Sequence, residues 1–142
     1  MRFVSARHSP RKKGAGDGLF MTSRDGLHWE RPALEIVPGT NLVIPPRKGH
    51  RRDGCLVWLD HDAAEAERCK LFLFNRRDED SGGEIYTSAD GIHWGEPAPV
   101  SECGDNSSFF YNPFRRRYVF SIRQGWPSRA RAYREHAEFR AA

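Results

Sequence analysis

Short apolar runs set off by turn residues organise this chain. Cys55-Leu-Val-Trp-Leu59 is uninterrupted and of strand length, and Lys70-Leu-Phe-Leu-Phe74 is its neighbour, so both predict strands buried on two faces. Leu19–Ser23 and Glu84–Ser88 read as strands ending in a turn, and Ser107–Tyr111 with Tyr118–Ile122 as a hairpin closed by Asn112-Pro113-Phe114. Ala130–Arg134 and His136–Phe139 resemble a degenerate further copy of the strand, turn and aromatic. Asp62 with Glu65 three positions on gives a capping-box-like start, predicting one helical turn before Lys70. Pro38-Gly39, Pro45-Pro46 and Arg47–Arg52 read as a long connection, with a new unit opening at Asp53. The predicted class is all-β and antiparallel.

The pattern repeats. Gly18-Leu-Phe-Met-Thr-Ser-Arg-Asp-Gly-Leu-His-Trp-Glu-Arg-Pro32 recurs 65 residues later as Gly83-Glu-Ile-Tyr-Thr-Ser-Ala-Asp-Gly-Ile-His-Trp-Gly-Glu-Pro97. Each copy is a strand, an Asp-Gly turn and a Trp that folds back as an anchor, with Phe139 standing in for Trp in the third unit. Asp25 and Asp90 are expected to cap turn amides, His28 and His93 to be turn residues rather than ligands, and Trp29 and Trp94 to sit in equivalent environments.

Units of this kind cannot bury their apolar faces alone and stack. The chain divides into residues 1–46, the end of one blade and a connection; 47–100, a complete blade; and 101–142, most of the next. That is about two and a half antiparallel blades of a β-propeller, with the ring not closed. At roughly 50 to 65 residues per blade, the ring is completed either by more of a longer chain, the favoured reading, or by other copies. A β-sandwich has similar strand counts, but a 65-residue spacing is long for it. Open blade edges make self-association through them an expected partner interaction.

Composition sharpens this picture. At 142 residues and 38% hydrophobic the chain can hold one real core, and no run has the length of a membrane span, so no membrane partner is expected. The start, Met1–His8, lacks the apolar stretch of a signal peptide, which makes the cytoplasm the default location. Cys55, Cys69 and Cys103 show no paired short spacing, so neither a disulfide framework, a metal site nor a cofactor is expected. The net charge of +4 conceals basic ends (+5 over residues 1–13, +6 over 113–142) and an acidic middle of −7. The Arg115-Arg116-Arg117 cluster follows a turn signal, where charge solvates a hairpin tip, so nucleic acid is disfavoured as a partner.

The Ser-x-Asp-Gly-φ-His-Trp-x-x-Pro elements at 23–32 and 88–97, the Asp53-Gly opening, the Gly104-Asp105-Asn-Ser-Ser opening and the Asn112-Pro-Phe-Arg-Arg-Arg hairpin together resemble the bacterial five-bladed propellers related to glycoside hydrolase families 32 and 43. The likeness spans about residues 17 to 140 and also touches the Asp-boxes of sialidases, with the Gly one residue earlier. It implies a carbohydrate substrate or ligand, and acids at the starts of the innermost strands, around an axial funnel. Asp53, before Cys55–Leu59, and Asp105, before Ser107–Tyr111, occupy that place, which makes them the candidate catalytic pair of proton donor and nucleophile or base. Glu102-Cys103 echoes the acid-bearing Glu-Cys pair of the invertase-like family, but its neighbours do not match that motif.

Arg52, Asn106, Arg123 and Trp126 are the candidate substrate-binding residues, the Trp as an aromatic platform, whereas Trp58 inside its apolar run is expected to be core. The family's first acid sits on an opening strand for which this sequence shows no counterpart, so the isolated chain is expected to be inactive. The alternative function is a non-catalytic propeller module that binds a glycan or a protein.

Overall fold

Successive side chains of the Lys70–Phe74 run point to opposite faces of a strand and are apolar on both, so the strand needs a partner layer on each side. The computed structural model, which describes residues 2–8, 16–77, 81–124 and 130–141, supplies both layers. Ten strands form three antiparallel sheets. The first holds β1 (Arg2–His8), β2 (Gly16–Thr22) and β3 (Leu42–Ile44). The second holds β4 (His50–Leu59), β5 (Cys69–Arg77), β6 (Ser81–Ser88) and β7 (Ala98–Glu102), and the third β8 (Ser108–Asn112), β9 (Arg117–Arg123) and β10 (Arg131–His136). Among the described residues each sheet is a meander in chain order, no sheet closes on itself, and there is no α-helix.

The second sheet is covered on both faces. Leu71, Leu73 and Tyr86 pack with Phe20, Val43 and Ile44 of the first sheet. Phe72, Phe74 and Ile85 pack with Phe109, Phe120 and Ile122 of the third. Phe72 meets Phe120 edge-on with ring centroids 6.5 Å apart, and Phe139 lies 4.9 Å from Phe109. The packing is tight enough to require a glycine: a Cβ at Gly83 would lie 2.7 Å from a Phe72 ring carbon.

The sequence expectations and the structure part at several elements. The repeat matches β2 to β6, so β1, paired with β2 from Arg2 against Thr22 to His8 against Gly16, is the counterpart of β5, an element the sequence did not suggest, whereas no counterpart of the opening strand β4 stands in the first sheet among the described residues; Arg2–His8 carries no apolar run to mark it in the sequence. The connection over 38–52 contains β3 and the first residues of β4, and the second unit does not end near Pro97 but adds β7, pairing Ile85 with Ala98. The helical turn is a three-residue 3-10 turn, Glu65–Glu67, whose N-cap is Ala64 without a side-chain cap. Asp60, rather than Asp62, does the local capping, accepting the Asp62 amide at 3.1 Å. Phe139 occupies a short 3-10 turn, Phe139–Ala141, yet its ring is buried as expected of the anchor. Trp58 packs against the core, but its run in β4 is only half-buried and Leu59 is 48% exposed. The two-face burial predicted for both strands belongs to β5. As the edge strand of its sheet, β4 has its neighbours in β1 and β8 of the flanking sheets.

The sheets present two chemically different ends. One gathers the starts of β4 and β8 with the ends of β5 and β9, and the other carries the repeated Asp-Gly turns that follow β2 and β6. Phe72→Ala, which empties the joint between the second and third sheets, is expected to cost about 3–5 kcal/mol in urea unfolding. Phe114→Ala, at a side chain 96% exposed, is expected to leave the midpoint unchanged. Equal midpoints for the two variants would refute the two-sided core.

Candidate functional site

At the turn end, the two copies share the hydrogen bonds of the turn but not the surroundings of the anchor, contrary to the equivalent environments expected: Trp29 Nε1 donates to the Gly26 carbonyl at 3.0 Å, whereas Trp94 packs against the core between the first and second sheets. Ser23 Oγ donates to Asp25 and accepts the Gly26 amide, while Asp25 Oδ1 accepts the amides of Leu27 and His28 at 2.9 and 2.8 Å. Ser88 and Asp90 do the same for Gly91, Ile92 and His93. His28 and His93 each place Nδ1 on the second oxygen of their aspartate, at 2.6 and 2.7 Å, and Gly26 and Gly91 share the left-handed conformation at φ 78° and 77°. The hydrogen bond from His28 and then the amides hold the Asp25 carboxyl well below the usual range; at Asp90, burial opposes the shift, but His93 and the amides prevail. These aspartates are turn caps, as expected.

The predicted catalytic pair lies at the other end. Asp53 is exposed within a β-bulge between Arg52 and Cys55, where Gly54 takes φ 78°. A Cβ at Gly54 would lie 3.7 Å from the backbone nitrogen of Asn106, so the bulge of β4 abuts the turn that carries Asp105. Asp105 is ion-paired with Arg123, and both are partly buried. Asn106 stands at φ 57° and its carbonyl accepts from Arg131, which also donates to the carbonyl and hydroxyl of Ser121. Asp105, Asn106, Arg123 and Arg131 line a cleft of about 170 Å³. Gly104 is needed here: its amide donates to the Arg123 carbonyl, and a Cβ would press to 3.1 Å on the Arg123 stem.

Of the other predicted residues, Arg52 is buried and donates to the carbonyls of Ile44 and Pro45, tying β4 to the strand before it rather than reaching into the cleft. Trp126 lies outside the described residues.

The same end holds a polar cluster that sequence reasoning missed. Asn75, fully buried, donates to Glu84 at 3.1 Å and to His50 Nδ1 at 2.6 Å. Glu84 is itself buried and accepts the Tyr86 hydroxyl at 2.6 Å, with Arg47 at 3.8 Å. Burial, followed by the bond to Glu84, pushes the Tyr86 hydroxyl up. Asn75 Oδ1 is buried with no hydrogen-bond partner among the described residues. The signal was present: Asn75 continues the face of Leu71 and Leu73, and Glu84 that of Tyr86, so alternation alone places both inside.

At the turn end Asp60, Lys70 and Tyr118 form a buried clamp between the second and third sheets. Lys70 Nζ lies 3.4 Å from Asp60 and donates to the Glu67 carbonyl, and the Tyr118 hydroxyl donates to Asp60. Burial works against the Asp60 anion, but these partners keep its carboxyl below the usual range; burial and then Asp60 push the Tyr118 hydroxyl up. An open cleft of about 480 Å³ adjoins the clamp. The described residues contain no group of three or more potential metal ligands, and no helix among them is long and apolar enough to cross a membrane. No family model matches the chain, and no curated protein or solved structure matches it significantly.

The turn caps set a pH dependence. A carboxylate held low in the folded state, against about 4 in the unfolded chain, stabilises the fold above that value and loses its contribution as pH falls through and below it. The urea midpoint should therefore drop between about pH 5 and 2, and the double variant Asp25→Asn/Asp90→Asn should show a shallower acid drop from a lower plateau. Superimposable acid profiles would contradict the capping role.

Proposed function

We propose that the chain is a segment of a carbohydrate-active β-propeller, in which the three sheets are consecutive blades and a glycoside is bound at the end where Asp53 and Asp105 converge. The observation that supports this reading most directly is the seating of the Gly54 bulge against the Asn106 turn, which sets the opening of β4 beside the turn whose Asp105 and Asn106 line the polar cleft. The position of β4 beside β1 and β8 accords with inner strands facing an axis.

The chemistry suits a polyhydroxylated ligand. Carboxylates accept from sugar hydroxyls and guanidinium groups donate to them, and here one carboxylate, Asp105, and two guanidinium groups, Arg123 and Arg131, line the cleft, with Asp53 on the neighbouring bulge. Asp53, exposed on its bulge, is the candidate proton donor, and Asp105, set by Arg123, the anionic partner. The second reading, a module that binds without turnover, is favoured by one feature: the Asp105 carboxylate is already committed to Arg123.

Glycan-array binding followed by titration calorimetry, with hydrolysis of chromogenic glycosides in parallel, separates the two readings. Asp53→Asn and Asp105→Asn are each expected to weaken binding at least about tenfold, as loss of a charge-assisted hydrogen bond does. Asp90→Asn, at the opposite end, is expected to stay within about twofold on the same scale. Turnover that falls in Asp53→Asn by several orders of magnitude, far more than its binding does, identifies an enzyme; binding by the unmodified chain without any turnover identifies the module. Three variants that behave alike, or a chain that retains no saccharide, would exclude both.

A further inference from the structure

The third sheet brings a cation and an aromatic ring onto one face beside the cleft. Tyr118, Phe120 and Ile122 of β9 turn into the core, so Ser121 and Arg123 point to the other side of the sheet. Register carries that face onto β10: Arg131 stands opposite Arg123 and Tyr133 opposite Ser121, while Ala132 between them packs against the core. Arg131 and Tyr133 thus project from one face, two residues or about 7 Å apart along the strand. Val119, further along that face, is buried, whereas Arg131 is exposed and Tyr133 is 60% exposed.

Arg131 is a cation without a counter-ion. Its guanidinium donates to the Ser121 carbonyl and hydroxyl and to the Asn106 carbonyl, all neutral, and no carboxylate among the described residues pairs with it. Those bonds hold the fork and leave donors over, since a guanidinium carries five. The one acid of the cleft, Asp105, is ion-paired with Arg123, so the lining keeps one positive charge in excess, and the two arginines stand directly opposite in register, where like charges repel. A planar fork fixed in this way suits a carboxylate or a sulfate. Tyr133 is fixed at its far end: its hydroxyl donates to Glu135 and accepts from Arg115 at 3.3 Å, and Arg115 pairs with Glu135 at 2.6 Å. A ring held at its hydroxyl and open to solvent offers stacking area at little cost in lost freedom.

We propose that the cleft takes an acidic saccharide, with the carboxylate or sulfate of one sugar on Arg131 and the apolar face of the neighbouring sugar stacked on Tyr133. The assignment rests on the carbohydrate reading and adds to it the charge of the ligand and an aromatic platform. A nucleic acid also offers a ring and an anion, but a phosphate on every unit would meet Asp105 and the exposed Asp53 of the adjoining bulge, whereas sugar hydroxyls donate to those carboxylates.

Titration calorimetry of the 142-residue chain tests it with a hyaluronan tetrasaccharide, which carries a carboxylate on alternate rings; the same tetrasaccharide with its carboxyls reduced to alcohols; a keratan sulfate tetrasaccharide, which carries sulfate and no carboxylate; and a single-stranded oligonucleotide. An acidic saccharide is expected to bind at least about tenfold more tightly than the reduced one, and whether it is the first or the third identifies the anion. Arg131→Gln should remove most of that difference; because Arg131 also ties β9 to the Asn106 turn, the readout is the ratio of acidic to reduced affinity, which a general loss of structure does not set. Tyr133→Ala should weaken acidic and reduced saccharides alike, about tenfold, and Tyr133→Phe should restore most of the loss. Saccharides bound without regard to charge would overturn the acidic assignment while the carbohydrate reading stands, and no saccharide bound would overturn both. An oligonucleotide held more tightly than any saccharide would assign the strip to nucleic acid, and a Tyr133→Ala variant that binds as the unmodified chain does would refute the platform.

Discussion

Everything in this molecule hangs on the burial of both faces of its second sheet. A three- or four-stranded sheet with one covered face can stand in water on the other, but β5 offers no polar face: Leu71 and Leu73 need the first sheet as much as Phe72 and Phe74 need the third. That requirement sets the order of the layers and makes each flanking sheet depend on the middle one. It also fixes where chemistry can sit. With the faces committed to packing, polar function is left to the two ends, where strands hand over to turns.

The two ends have diverged in what they do with charge. At the turn end every carboxylate discussed is engaged by a local partner: Asp25 and Asp90 by amides and histidines, Asp60 by Lys70, Tyr118 and an amide. The Asp60–Lys70 pair has side chains only 7% and 4% exposed, where removing either partner would strand a charge, so the clamp fixes the relation of the second sheet to the third. At the other end a buried cluster of Asn75, Glu84 and Tyr86 stands with the partly buried Asp105–Arg123 ion pair. Arg131 is pinned by three acceptors beside the cleft, and the exposed carboxylate of Asp53 stands on a bulge.

How much of this could be read from the sequence divides along physical lines. The Asp-Gly turns were legible in full, because a turn is local chemistry: Ser23, Asp25 and Gly26 carry their own instructions within four residues. The strands with apolar runs were legible for the same reason. β1 and β7 were not, since their pairing is decided by the partner strand and their own composition is ordinary; Ala98 pairs with Ile85 without an apolar pattern of its own. β3 is apolar, Leu42-Val-Ile44, but three residues against Pro45-Pro46 read as part of the connection. The site was half legible. Position at a strand start brought out Asp53 and Asp105, but Arg52, adjacent in sequence to Asp53, points into the interior, and a one-residue step along a strand changes faces. Glu84 and Asn75 were hidden by their strands, where a polar residue in phase with the core registers as a break in the pattern instead of as a buried network.

Departures from regular structure gather at one end without being confined to it. Bulges interrupt the ladders at Arg52/Cys55 and at Gly82/Glu84, Asn106 holds a left-handed conformation that costs a residue with a Cβ, and Asn75 Oδ1 is buried without a partner among the described residues. All four lie at the end that carries Asp53 and Asp105. The left-handed glycines of the opposite end, Gly26 and Gly91, are answered in place by the turns that need them. Irregularity also occurs at the opposite end, where Arg116 takes a left-handed φ of 53° in the turn between β8 and β9 and Trp94 Nε1 is buried without a partner among the described residues. Both ends thus carry local cost, and what sets the end with Asp53 and Asp105 apart is the charged lining of its cleft, where Asp105, Arg123 and Arg131 meet.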